Sequence, residues 1–233
     1  MQPGSPAAGS PGVPVVPPIR RLTDASMRAA VSELAAGDPA LGAVVTRFGQ
    51  PPMWARDPGF PTLVLLILEQ QVSLASARAA FERLVERTAT PPSPAMLLAL
   101  SDADLLACGF SRQKTRYARA LAVAVEDGAL DLGALASLDD AGVDAALTAL
   151  PGIGPWTATI YRLMVLLQPD AWPIHDIALA QAYAEIHGLP TRPRAEEMEA
   201  LAEGWRPWRA VAARILWHHY LSVRAERRAA RGR

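Results

Sequence analysis

The run Leu150-Pro151-Gly152-Ile153-Gly154-Pro155-Trp156-Thr157-Ala158 is followed, eighteen residues beyond Ala158, by the carboxylate of Asp176. Two glycines one residue apart, with a helical pattern on each side, describe a tight hairpin that presents backbone N–H groups at the start of its second helix. The first donors of a helix have no partner inside it, so such a terminus is a ready anion site. A nucleic-acid phosphate is an anion that main chain can hold without reading base sequence. The same Gly-x-Gly pattern also serves as a plain helix-to-helix turn, because glycine adopts positive φ at little cost.

The elements that must position these residues are helical. From Thr23 onward the chain shows helical periodicity broken by short Pro, Gly and Asp punctuation, with no alternating stretch that reads as a strand. The expected fold class is all-α. Helices are expected over residues 24–36, 39–48, 61–88, 94–100, 102–108, 112–126 and 139–150. Four more are expected over 155–167, 177–187, 194–205 and 207–224. Pro94 after Ser93 and Pro155 after Gly154 suit a first helical position, where the missing N–H would be unpaired anyway. Ser101-Asp102-Ala103-Asp104 reads as a capping box with Asp in the Glu place. Residues 1–18 are proline-rich and uncharged, and are expected to form a disordered tail. A helical domain over 19–225 and a basic tail over 226–233 complete the division.

Composition narrows the function classes. With 233 residues, 51% hydrophobic and 20% charged, the chain has the makeup of a soluble globular protein of one or two domains. The central apolar run Leu63 to Leu68 stops at Glu69, far short of the ~20 residues a membrane span needs. The first residues lack the charged start and apolar stretch of a secretory signal, and the single cysteine, Cys108, reads as core. A cytoplasmic, nucleoid-associated monomer with no membrane partner is expected. Net charge is zero, yet Arg224, Arg227, Arg228, Arg231 and Arg233 crowd the C-terminal end. Arg112, Lys114, Arg116 and Arg119 form a second basic cluster. Each is either a phosphate-facing stripe or a solvated helix face.

The nine-residue string with its distant Asp176 resembles the helix-hairpin-helix and Gly/Pro-rich loop with catalytic Asp of a superfamily of base-excision DNA glycosylases. Further matches are Ile67-Leu68-Glu69-Gln70-Gln71-Val72-Ser73, Gly109-Phe110-Ser111-Arg112-Gln113-Lys114 and Trp205-Arg206-Pro207-Trp208-Arg209. Together, over roughly residues 40 to 222, they resemble the 3-methyladenine DNA glycosylase II family, in a compact form without an N-terminal β domain. The resemblance implies two helical lobes, one from the middle of the chain and one from its two ends, with the active-site cleft between them. It implies duplex DNA with alkylated bases as partner, and excision of 3-methyladenine, 7-methylguanine and similar bases.

The resemblance also distributes roles. Asp176 falls at the catalytic position, where a fixed carboxylate stabilises the oxocarbenium-like sugar. Asp170 is its rival in the segment, and an N-cap on the following helix is the structural alternative for Asp176. Trp156 and Trp217 match the base-pocket tryptophans, whose faces attract cationic methylated purines. Trp54, Trp172, Trp205 and Trp208 read mainly as packing. Gly152, Gly154 and Thr157 would contact DNA. Gln71 matches the side chain that fills the gap left by the flipped base. Gln70 and Gln71 could equally satisfy backbone groups where the lobes meet. No catalytic cofactor is implied, but a K⁺ or Na⁺ ion on main-chain carbonyls of Thr148, Leu150 and Ile153 is. Bifunctional relatives carry a nucleophilic lysine at the position of Trp156, so a monofunctional enzyme without lyase activity is expected. A cluster-bearing relative would need four cysteines. The alternative from another class is a non-catalytic helix-hairpin-helix DNA-binding module, which would have no use for a carboxylate beside phosphates.

Overall fold

The computed structural model describes residues 21–231, which are helix and loop throughout, with no strand in that range. Residues 1–18, expected as a tail, lie outside the described residues, as does Arg233. In chain order the helices are α1 (Asp24–Gly37), α2 (Pro39–Phe48), α3 (Phe60–Glu69), α4 (Leu74–Thr88), α5 (Pro94–Ala99) and α6 (Asp102–Ala107). They continue with α7 (Arg112–Glu126), α8 (Asp140–Thr148), α9 (Pro155–Met164), α10 (Ile177–His187), α11 (Ala195–Ala202) and α12 (Arg209–Arg231).

Two lobes result, as expected. Helices α3 to α7 pack on one another, while α1, α2, α10 and α12 pack together from the two ends of the chain. Between them α8 and α9 form the hairpin, and α9 also packs on α3. One contiguous core runs through both lobes and includes the fully buried Leu66, Ala158, Tyr161 and Leu216. Each such leucine contributes roughly 1.5–3 kcal/mol by leaving water.

Local chemistry explains most helix starts. Thr23 and Ser26 make a reciprocal capping box on α1, and Ser101 with Asp104 makes the expected one on α6. Asp38, Ser93 and Ser111 each cap the N–H groups of the helix that follows. Pro94 and Pro155 stand at the starts of α5 and α9, as their spacing predicts.

Three expectations are corrected. The single helix expected over 61–88 is two helices, α3 and α4, separated by an elbow at 70–73. Lys114 Nζ donates to the Leu68 carbonyl (2.6 Å) and closes α3, Gln71 turns to φ 57, and Ser73 Oγ accepts the Ser76 N–H (3.1 Å) to start α4. Helix α9 stops at Met164 because Leu166 N–H turns back to the Tyr161 carbonyl (3.1 Å) and Leu167 takes φ 54. The basic residues expected as a tail from 226 onward continue α12 to Arg231. One contact back to the body reaches these turns, Arg47 on α2 donating to Glu226 (2.7 Å), while within α12 Arg224 lies over the Tyr220 ring at 3.2 Å. A 3-10 turn at Ala134–Ser137, started by Asp131 accepting from Gly133 and Ala134, had no periodic signal to announce it.

Candidate active site

The hairpin needs its first glycine for two independent reasons. Gly152 has φ 86, and a Cβ on it would fall inside the Tyr117 ring. Gly154 is the N-cap of α9 at φ −90, has no atom near the place a Cβ would occupy, and offers no side chain to the helix. Pro155 follows with no N–H of its own, so the N–H groups of Trp156 and Thr157 lack a capping side chain and face the groove in front of the hairpin. Thr157 itself is buried, and its Oγ1 accepts from Gln70 Nε2 at 3.1 Å. Its side chain is thus engaged inside the protein.

The elbow separates the two glutamines. Gln70 Nε2 also donates to the Gly152 carbonyl (2.7 Å), lashing the elbow to the hairpin. Gln71 is exposed on the left-handed turn and lines the groove that Trp156 and Asp176 share. Of the two glutamines, Gln70 takes the structural role, and Gln71 is left exposed in the groove.

Asp176 is the N-cap of α10 and also faces the cavity. Its Oδ1 accepts the N–H groups of Ala178 (2.9 Å) and Leu179 (3.0 Å) as the N-cap of α10, while its Oδ2 accepts Trp156 Nε1 at 3.3 Å. One oxygen fixes the carboxylate and the other points toward the aromatic wall. The rival Asp170 is held by Arg209 through Nε (2.9 Å) and Nη2 (2.8 Å), with Arg206 as a third donor. It braces α12 and does not line the cavity.

That cavity, about 440 Å³, lies beside the hairpin. Asp176, Trp156 and Trp217 all line it, with Trp54, Tyr220 and the ion pair of Arg56 and Glu69. Trp54, expected as packing, meets Trp217 edge-on with ring centroids 6.4 Å apart, so it belongs to the wall. Trp172 and Trp205 pack on each other at 5.6 Å, and Trp208 Nε1 donates to Glu33 (2.8 Å), as packing residues should. The strap that carries Trp54 is fixed by the fully buried Arg214. Its guanidinium donates to the carbonyls of Met53 (2.8 Å), Leu163 (2.7 Å) and Ala210 (2.9 Å). Burial pulls Arg214 down to about 10, still far above neutrality. Around the cavity mouth Val72, Leu74 and Leu221 are exposed apolar side chains.

A hairpin with free N–H groups, a capped carboxylate and an aromatic cavity meet in one place, and the sequence around them can be set against known proteins. Residues 64–207 match the HhH-GPD superfamily of base excision DNA repair proteins. The chain belongs to that superfamily. It is 36% identical over 214 residues to a Mycobacterium tuberculosis protein described as a probable bifunctional transcriptional activator/DNA repair enzyme AlkA. That alignment takes in 85% of this chain and 41% of the Mycobacterium protein, so the chain spans about two-fifths of this relative's length. DNA-3-methyladenine glycosylase 1 of Schizosaccharomyces pombe is 27% identical over 161 residues, covering 68% of this chain and 71% of that one. Among solved structures, the S. pombe 3-methyladenine DNA glycosylase Mag1 in complex with abasic DNA is similar at a TM-score of 0.76 and 25% identity. The match covers 81% of this chain and 95% of Mag1. The DNA-3-methyladenine glycosidase of Bacillus halodurans is similar at 0.70 and 28%, covering 82% and 88%.

In this HhH-GPD chain the two basic clusters are only partly available to a partner. Arg119 is spent on Asp102 (2.8 Å) and the Leu100 carbonyl (2.6 Å), and Lys114 on the Leu68 carbonyl, which leaves Arg112 and Arg116 exposed. Burial also holds the Lys114 ammonium below the usual lysine range. At the C-terminal end Arg227, Arg228 and Arg231 are exposed. Sequence reasoning missed Trp54, Arg56, Glu69 and Tyr220 as cavity residues. Glu69 carried no signal, since it stood inside the helix expected over 61–88, and only the structure ends α3 there. Arg56, on an irregular strap, carried none.

Proposed function

We propose that this chain is a monofunctional DNA glycosylase that draws alkylated bases out of duplex DNA and hydrolyses their N-glycosidic bond. The observation that carries the reading is the placement of Asp176 Oδ2 on the wall of the aromatic cavity while Oδ1 is locked in the cap of α10. A carboxylate so held stabilises positive charge on a sugar whose base is leaving, and needs no reorganisation to do so. The glycosidic electron pair departs with the base and cancels the ring's positive charge, and water adds at the vacated sugar carbon and releases a proton to solvent. Stacking between Trp156 and Trp217 favours cationic rings such as 3-methyladenine and 7-methylguanine. The relatives named as 3-methyladenine glycosylases support that substrate class.

Backbone N–H groups at the start of α9 hold a phosphate, and exposed Gln71 fills the gap in the stack. The carbonyls of Thr148 and Ile153 accept no hydrogen bond among the described residues, and with Leu150 these residues line the same groove. All-oxygen donors at the C-terminal end of α8 suit a hard monovalent cation, so Thr148, Leu150 and Ile153 would hold K⁺ or Na⁺, supplying charge against the DNA phosphate. Lys114, the chain's one lysine, is tied to Leu68, and no amine lines the cavity to attack the sugar. We read the protein as a cytoplasmic, nucleoid-associated monomer.

The test is release of methylated bases from alkylated duplex DNA, wild type beside Asp176→Asn, with strand breaks scored before and after alkali. Release should fall by on the order of a hundredfold or more in the variant, with DNA binding retained and breaks appearing only after alkali. Binding without release by wild type would leave a non-catalytic DNA-binding module.

A further inference from the structure

The cavity holds a second carboxylate that the proposed chemistry does not use. Glu69 is the last residue of α3, its side chain is 8% exposed, and both its oxygens accept from Arg56, Nη1 to Oε2 and Nη2 to Oε1, each at 2.9 Å. The fork is bidentate, the geometry in which an arginine holds a carboxylate most firmly. Arg56 is itself fixed, since its backbone N–H donates to the Met164 carbonyl (2.8 Å) and Arg214 grips Met53 three residues earlier. Both members line the same cavity as Asp176, Trp156 and Trp217.

An ion pair on the wall of an otherwise aromatic cavity is costly to desolvate, and two apolar residues would fill that space at lower cost. The arithmetic of charge suggests what the pair does. Asp176 and Glu69 contribute two negative charges and Arg56 one positive, so the walls carry a net charge of one negative. Losing Glu69 alone would bring the walls to neutrality with an unpaired guanidinium facing the base. Losing Arg56 alone would leave two negative charges.

We propose that the Arg56–Glu69 pair is a specificity-determining element that sets the cavity's charge at one uncompensated carboxylate and so fixes how strongly cationic bases are preferred over neutral ones. The proposal rests on the glycosylase reading above. At an effective dielectric near ~20, one unit charge on a cavity wall changes a cation's occupancy by on the order of tenfold or more, and leaves a neutral base nearly unaffected. The two partners therefore act in opposite directions, which a merely structural ion pair cannot do.

The experiment is single-turnover excision of 7-methylguanine, a cation, and hypoxanthine, neutral, from the same duplex context. Wild type is compared with Glu69→Gln, Arg56→Gln and the double variant, each checked for folding by thermal melting. The rate ratio of cationic to neutral base should fall about tenfold in Glu69→Gln, rise in Arg56→Gln, and return toward wild type in the double variant. Should Glu69→Gln fail to fold, the rise in Arg56→Gln and the return in the double variant carry the test. Wild type excising both bases while the ratio stays within twofold in every folded variant, or moves the same way in both single variants, overturns this inference alone. No excision by wild type overturns the glycosylase reading, and this inference with it.

Discussion

Each oxygen of Asp176 has its own neighbours, two backbone N–H groups for Oδ1 and an indole N–H for Oδ2. An asparagine oxygen can keep the cap, which is why Asp176→Asn should leave the fold intact while removing the charge. The two hairpin glycines divide in a comparable way. Gly152 combines φ 86 with a Tyr117 ring where a Cβ would stand, so Gly152→Ala should cost about 1–3 kcal/mol and lower the melting temperature by several degrees. Gly154 has room for a methyl group and an ordinary φ, so Gly154→Ala should melt like wild type yet bind duplex DNA more weakly, because the methyl obstructs phosphate approach. Melting curves and a binding titration on both variants check this, and equal melting of the two would show that Tyr117 can move aside. The glycines were legible as residues, because glycine is the usual solution to a tight backbone turn, and Asp176 was legible through the family resemblance of its segment. Glu69 and Arg56 were not, since their meaning lies only in facing each other.

Caps and periodicity announce helices one at a time, and α1, α2, α5, α6 and α7 follow their local signals closely. The elbow between α3 and α4 does not, because two of its determinants come from elsewhere, Lys114 from α7 and the Gly152 carbonyl from the hairpin. Helix α12 ran past its expected end with one determinant of the same kind, Arg47 of α2 donating to Glu226. The junction of α10 and α12 also carries a pH dependence. His219 Nε2 donates to Glu185 (3.1 Å), yet burial, with Arg47 and Arg224 nearby, outweighs that carboxylate and holds the imidazole below its ordinary value. A lowered folded pKa means the unfolded chain binds the proton more tightly, so stability is full above the unfolded value of ~6.5 and is lost as pH falls through the folded one. Melting temperature should therefore decline below about pH 6.5, and His219→Gln should flatten that part of the profile. An unchanged acid slope in the variant would assign the loss to other groups.

At the scale of the whole molecule, the cavity is an assembly of distant segments: the strap with Trp54 and Arg56, the end of α3, the start of α9, the start of α10 and the middle of α12. Arg214 ties the middle of α12 to the strap at Met53 and to the end of α9 at Leu163, and its removal strands those two carbonyls. Arg214→Met should lower stability by about 2–4 kcal/mol, seen in denaturant unfolding, and should loosen the strap, seen as changed tryptophan fluorescence before global unfolding. Coincident transitions at wild-type stability would mean the carbonyls find other donors. The sequence by itself determined the all-helical class, most helix starts and the glycine hairpin, since each rests on interactions between residues a few positions apart, while Asp176 was marked by the family resemblance of the whole segment. Tertiary structure alone decided which glutamine is structural and which projects, that Trp54 joins Trp156 and Trp217, and that Glu69 faces Arg56 inside the cavity. Those facts depend on contacts between segments far apart in the chain, and short-range periodicity and capping carry no record of them.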